Sequence, residues 1–274
     1  MNAVLEAALA PGRAVRARGG HPFEVASEAG PSFVAGTALL TGADGLADRA
    51  DALSRALGTE RRDIGATFFA QHHAWAIAAP MAGALLLAGR VPLLVPEAVA
   101  LRAIPGSASM EVACADAQVA VADADPAAGA PGTVAVGGED GLLRALWGVV
   151  EAHMALLAPP LSAVSGRPQS GLWRVAHDAT ANGFVALGEA CGPRERAWAA
   201  WGRARALAPR RLRGRAEPVL VGAPGGERAL VARAGCCLVW RCPGRAQPCV
   251  GCPLVPAAER AGLLARLSAR PAAA

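Results

Sequence analysis

Five of the seven cysteines in this 274-residue chain fall within seventeen positions, CCLVWRCPGRAQPCVGC, residues 236–252. Such a run constrains the backbone that carries it. Neighbouring side chains of a regular strand point to opposite faces, so Cys236 and Cys237 can serve one site only where the chain bends. At the other end, Cys249-x2-Cys252 lets a tight turn bring two thiols to one metal while backbone N–H groups donate to the sulfurs.

The spacing as a whole is Cys236-Cys237-x4-Cys242-x6-Cys249-x2-Cys252. A structural zinc site favours two separate C-x2–4-C knuckles, and this chain has one. A cluster of two irons spreads its four thiolates over a wider object and tolerates a vicinal pair. Disulfide, zinc and iron–sulfur chemistry all remain open at this point. Five thiols for four ligand places leave one spare, and spacing alone does not name it. The isolated Cys114 and Cys191 read as small buried hydrophobes.

The rest of the chain is ordinary globular material. Hydrophobic residues make up 53 % and charged residues 18 %, enough for a sizeable core. All 27 basic residues are Arg, for a formal charge of +5. That balance suits anionic ligands or acidic protein partners without demanding nucleic acid. No aromatic–basic interleaving or recognition helix argues for nucleic acid. The opening MNAVLEAALAPGRAVRAR places apolar residues before arginines, the reverse of a secretory signal. The uncharged run Ala74–Gly89 has 16 residues and contains Pro80 and Gly83, too short to span a bilayer. The expectation is a cytoplasmic protein, where clustered thiols serve metals or redox chemistry more often than disulfides. Peripheral membrane contact stays open.

Periodicity predicts a helix over 48–57 ending at Gly58, a second over 68–89 with a kink at Pro80, and short strands between Val91 and Val121. The Gly/Pro/Ala-rich run 123–140 reads as a connection. It separates an N-terminal α/β subdomain, 1–135, from a C-terminal helical subdomain, 140–274. In the second, helices are expected over 141–157 (stopped by Pro159-Pro160), 170–188 and 194–207, then a hairpin about Pro224-Gly225-Gly226, the cysteine loop, and a last helix from Pro256 with Leu263, Leu264 and Leu267 on one edge. The fold class is α+β, helix-dominated.

The segment CCLVWRCPGRAQPCVGCPL resembles the C-terminal signature of FhuF-type ferric-siderophore reductases. Cys236-Cys237 matches that family's vicinal pair, Leu238 its Leu, Trp240-Arg241 its aromatic-Arg, Pro243-Gly244 its Pro-Gly, and Cys249 and Cys252 its final C-x2-C. Eleven residues, Leu238 to Pro248, separate the pairs, one more than the family has. SGLWRVAHDATANG, upstream, is similar to the family's Ser…Leu-Trp helix. The resemblance implies a 2Fe–2S cluster on Cys236, Cys237, Cys249 and Cys252. Cys242, where the family has an apolar residue, is then the spare thiol or a substitute ligand. It further implies a cytoplasmic oxidoreductase that frees iron from a ferric siderophore by one-electron reduction, supplied by a donor such as a ferredoxin or flavin reductase. The competing class is a non-enzymatic zinc- or iron–sulfur-binding interaction or sensor protein, or a siderophore-binding relative without reductase activity.

Candidate substrate residues are Trp173, His177, Arg233 and Arg241; Asp178, next to His177 on the same helix, either lines the substrate pocket with them or serves packing. The run Arg203 to Arg215, six arginines in GRARALAPRRLRGRA, reads as a solvated face or as a docking site for an acidic electron donor. His72-His73 diverge by about 100° on a helix and do not share one metal easily. His153 reads as a core residue. GAPGGE has the wrong spacing for a phosphate loop.

Overall fold

In the computed structural model, residues 3–16, 25–104, 109–191, 194–223, 226–245 and 247–268 are described. The turn at Pro224-Gly225 and the side chains of Cys191 and Leu267, all of which carry sequence-based expectations, lie outside them. The architecture is helix-dominated α+β, with two small mixed sheets and an antiparallel hairpin among the described residues.

The N-terminal half contributes α1 (Ala3–Arg16), α2 (Gly36–Thr41), α3 (Ala43–Ala56) and α4 (Arg62–Ala88), with β1 (Val25–Ala26) and β2 (Val34–Ala35) between the first two. Strands β3 (Val91–Pro92), β4 (Ala100–Ala103), β5 (Met110–Ala113), β6 (Val119–Val121) and β7 (Thr133–Ala135) follow. They form a four-stranded sheet ordered β1-β5-β4-β2 and a three-stranded sheet ordered β3-β6-β7. The C-terminal half carries α5 (Glu139–Ser165), α6 (Gln169–Cys191), α7 (Arg194–Ala206), the antiparallel hairpin β8 (Glu217–Ala223) with β9 (Gly226–Ala232), and α8 (Arg260–Ser268).

One apolar core runs without a break from Leu5 to Val231, so the Gly/Pro-rich connection joins two halves that share their interior. α4 is the axis of that core. It is apolar nearly all round, as a fully buried helix must be, and small residues let α6 approach closely. A Cβ on Gly183 would stand 3.3 Å from the Ala79 Cα. Glycine is also needed where α3 crosses α4: a Cβ on Gly65 would lie 1.9 Å from the Ala50 carbonyl oxygen and 2.4 Å from Ser54 Oγ. Gly65→Ala is therefore expected to force the two helices apart and cost about 1–3 kcal/mol, read as a lower urea midpoint at unchanged slope.

The prolines correct one boundary. α5 does not stop at Pro159-Pro160 but runs through both to Ser165, where Gly166 caps it at φ 69°. A proline inside a helix costs about 3 kcal/mol. Here Leu157, Ala158 and Leu161 are all buried, and each leucine contributes about 1.5–3 kcal/mol, enough to offset the lost donors. Likewise α4 passes Pro80 and ends at Gly89, φ 67°. Helix α6 also passes Gly188 and ends at Cys191.

Among the described residues, α5 is long and apolar enough to cross a membrane by length and composition, and 56 % of its apolar window is buried inside the protein. The Ala74–Gly89 run is the buried second half of α4.

A second, smaller core sits at the C-terminus. Val221, Val250, Cys252, Val255, Leu263 and Leu264 are buried together, with Cys236 and Cys249 packed against them. The hairpin, the cysteine loop and α8 thus close around sulfur.

Candidate cysteine centre and its adjoining pocket

The hairpin delivers the chain to the loop, and backbone bonds fix both of its arms. At the end of β9, Arg233 N donates to Gly251 O (2.8 Å), tying the returning arm to the departing one. Only glycine fits there, because a Cβ on Gly251 would stand 2.2 Å from the Val231 carbonyl oxygen. The turn of the C-x2-C closes through Cys252 N donating to Cys249 O (2.9 Å).

The departing arm is held by α6. Ala234 N and Gly235 N donate to the two carboxylate oxygens of Asp178 (3.0 and 2.8 Å). Arg167, at the α5–α6 turn, donates to Cys236 O (3.1 Å). The bend that a vicinal cysteine pair requires then appears: Leu238 has φ +64°, the left-handed region, at a cost of about 1–2 kcal/mol for a side chain with a Cβ. Burying that side chain beside Ile64 and Cys242 offsets the strain. Leu238 N turns towards Cys236 Sγ (3.4 Å), and a 3-10 turn, Val239–Arg241, leads away.

This path brings four thiols together as two pairs drawn from opposite ends of the loop. Cys237 and Cys249 lie within hydrogen-bonding reach of each other, as do Cys236 and Cys252. None of the described cysteines is in a disulfide. The Cys249 thiol donates to Cys237 and, with Arg233 nearby, holds it down to about 6. Cys249 is pushed up by the same shared bond and by burial. Burial pushes Cys252 up as well. A depressed thiol beside a cation is the state in which sulfur binds metals. Cys242 lies next to these pairs, in an apolar cluster with Ile64 and Leu238 against which Cys236 also packs, and burial raises its pKa.

Among the described residues, no group of three or more His, Cys, Asp or Glu converges as a single metal ion would need. Pairs of thiols are instead what a two-iron cluster asks of a protein, two sulfurs to each iron. In donor chemistry and pairwise grouping, Cys236, Cys237, Cys249 and Cys252 fit such a group.

Beside the loop opens a pocket of about 420 Å³. α4 lines it with Phe68, Gln71, His72 and Trp75, and α6 with Asp178 and Asn182. Arg233 completes the wall and donates to Gln71 Oε1 (3.1 Å). Asp178 and Arg233 therefore belong to both the pocket and the loop. Burial raises Asp178 to about 6, against the pull of its two backbone donors and Arg233. His72 is lowered by burial and by Arg233, so it faces the pocket neutral.

Of the four candidate substrate residues, the structure places Arg233 in this pocket and the others elsewhere. His177 is fully buried, stacked on Trp147 (centroids 5.8 Å, planes 5° apart) and tilted against Trp201. Trp173 is buried beneath the Arg211 guanidinium (5.7 Å). Arg241 lies exposed over the Trp240 ring (5.2 Å). Beyond Asp178, the helical walls of the pocket carry a pattern visible in the sequence. Phe68, Gln71, His72 and Trp75 recur at i, i+3, i+4, i+7, and Asp178 and Asn182 at i, i+4, which is one face of each helix.

No protein-family model, no curated protein and no solved structure matches this chain.

Proposed function

We propose that the protein is a cytoplasmic ferric-siderophore reductase that holds a 2Fe–2S cluster on Cys236, Cys237, Cys249 and Cys252. The observation that carries this reading is the pairing of those thiols, Cys236 with Cys252 and Cys237 with Cys249, against the wall of a pocket. The resemblance of the cysteine segment to FhuF-type reductases supports it. Bound there, such a cluster supplies single electrons at a potential set by charge, hydrogen bonds to sulfur and exposure, somewhere within roughly −700 to +450 mV.

The residues of the chain divide the remaining work. Asp178 and Arg167 fix the departing arm by its backbone, and Gly251 allows the returning arm to lie against β9. Arg233 offsets thiolate charge and at the same time presents its cation to the pocket. The substrate's Fe(III) is gripped by hard oxygen donors; as Fe(II) it is a softer ion that those donors hold far less well, so one electron releases it. Gln71 and Asn182 offer amide donors and acceptors to the freed ligand, and Phe68 and Trp75 give its backbone an apolar seat.

Iron, acid-labile sulfide and zinc per chain in anaerobically prepared protein test the cofactor; stoichiometric zinc without sulfide sinks this reading. A single-turnover assay with a ferrous chelator as trap tests the activity. Asn182 is exposed at the pocket, so Asn182→Trp should fold, keep its iron and lower kcat/KM for a ferric siderophore about tenfold or more by occlusion, a loss of about 1.4 kcal/mol or more. Unchanged kcat/KM would place the substrate elsewhere.

A further inference from the structure

The pocket borders one end of the cysteine loop; the other end carries a different surface. Arg233 reaches Gln71, whereas Cys242 packs on Ile64 at the start of α4. Seven residues of helix separate Ile64 from Gln71, about 10 Å along the axis. At the Cys242 end two arginines, Arg241 and Arg245, stand exposed. Arg245 and Arg61 lie within electrostatic reach of Cys242, and Arg241 within reach of Arg167.

The charge there is one-sided. Residues 228–258 contain Arg228, Arg233, Arg241 and Arg245 and no carboxylate. The nearby acids are engaged: Asp178 by backbone N–H groups, and Asp63 by Arg61 (2.8 Å). The longer arginine run on α7 and beyond is engaged in part, with Arg210, Arg213 and Arg215 exposed. Arg203 pairs with Glu139 and Asp140, Arg205 with Glu217, and Arg211 covers Trp173.

We propose that the Arg241–Arg245 edge of the cysteine loop is the docking surface of an acidic one-electron carrier protein. This rests on the reductase reading above and assigns its missing partner. Docking there sets the donor against the thiol loop while leaving the pocket at the Arg233 end open to substrate. The reduced carrier would be oxidised by one equivalent, and its electron would be taken up by the 2Fe–2S group that Cys236, Cys237, Cys249 and Cys252 would hold, reducing that group by one; no bond forms or breaks. Complementary charge acts mainly on the encounter rate and weakens with salt.

The test mixes the full-length, iron-loaded chain with a reduced acidic 2Fe–2S ferredoxin in stopped flow at low and high ionic strength. The double variant Arg241→Glu/Arg245→Glu should react about tenfold or more slowly at low salt, with the gap closing as salt rises. Arg210→Glu/Arg213→Glu, with the same change in net charge, should stay within about twofold of the parent. Equal slowing of both variants would reduce the effect to overall charge and overturn the proposal, as would a rate indifferent to salt. Iron and sulfide content and full reduction by dithionite are read on every variant first. Their absence in the parent sinks the reductase reading itself, whereas their presence with unaltered ferredoxin kinetics sinks only the docking surface.

Discussion

Serine in place of Cys249 or Cys252 is expected to give a colourless chain whose C-terminal module opens while the rest stays folded. Cys252 is buried in the small C-terminal core, and Cys236 and Cys249 are packed against it. Among the described residues that core has six buried members, so in the proposed reading it leans on the group that its thiols would hold. Metal binding in so small a core is in effect folding free energy. A buried serine hydroxyl without a partner adds a penalty of about 1–3 kcal/mol. The main core, continuous from Leu5 to Val231, does not contain these cysteines. Limited proteolysis should therefore cut within 226–268 and spare the helices, with iron and sulfide lost together. Cys242→Ala is the contrast. Its thiol belongs to the Ile64–Leu238 cluster, so the variant should lose some stability and keep its iron. Full iron in Cys252→Ser, or its loss in Cys242→Ala, would show that the wrong four sulfurs have been paired.

That assignment draws on sequence and structure in different measure. Which thiols stand close in sequence could be read directly, and so could the hairpin that delivers them, since alternating apolar residues flank a Pro-Gly-Gly turn. The bend after the vicinal pair could be stated only as a requirement. Its agent, Leu238 at positive φ, is a residue whose type favours no such conformation; tertiary burial against Ile64, 174 positions earlier, imposes it. Asp178 could be read only as one of an adjacent pair. On a helix its neighbour His177 looked equally suited to a pocket, and a rotation of about 100° per residue separates them. That rotation sends His177 into the aromatic core and Asp178 to the loop. The long-range approach of α4 to α6 decided which face was which, and a single sequence does not state it. Pro159-Pro160 misled for the converse reason, because a local helix-breaking rule yields when the residues around it are buried on another helix.

Acid should destabilise the protein well above the pH at which an ordinary carboxylate titrates, because three histidines are buried neutral. His73 and His153 share a bond (Nε2 to Nδ1, 3.1 Å), and His153 Nε2 meets Leu94 O (2.7 Å); with Nε2 protonated and donating to that carbonyl, His153 Nδ1 accepts from His73. Burial holds His153 and His177 down to about 4, and burial together with the neighbouring His153 holds His73 well below its ordinary value. An unfolded histidine titrates near 6.5, so between about 6.5 and 4 the unfolded chain binds more protons. Their stabilising contribution is complete above about pH 6.5 and disappears as pH falls towards 4, by about 3 kcal/mol for each of His153 and His177. Asp178 works the other way. Its carboxyl, raised to about 6, leaves the folded state holding the extra proton between about 6 and 4, which returns up to about 3 kcal/mol as pH falls. Two to three histidines outweigh one aspartate, and the net loss from pH 7 to 4 is about 3 kcal/mol or more. His177→Phe isolates one component. Neither imidazole nitrogen makes a well-formed hydrogen bond, and the Leu212 backbone gives the charged ring only slight relief, so a phenyl ring between Trp147 and Trp201 should lose little at neutral pH. Urea midpoints of the two proteins, compared at each pH from 7.5 to 4.5, should then diverge as acid is added, with the variant falling less steeply by about one proton. Parallel curves would mean that His177 already carries its proton in the folded state.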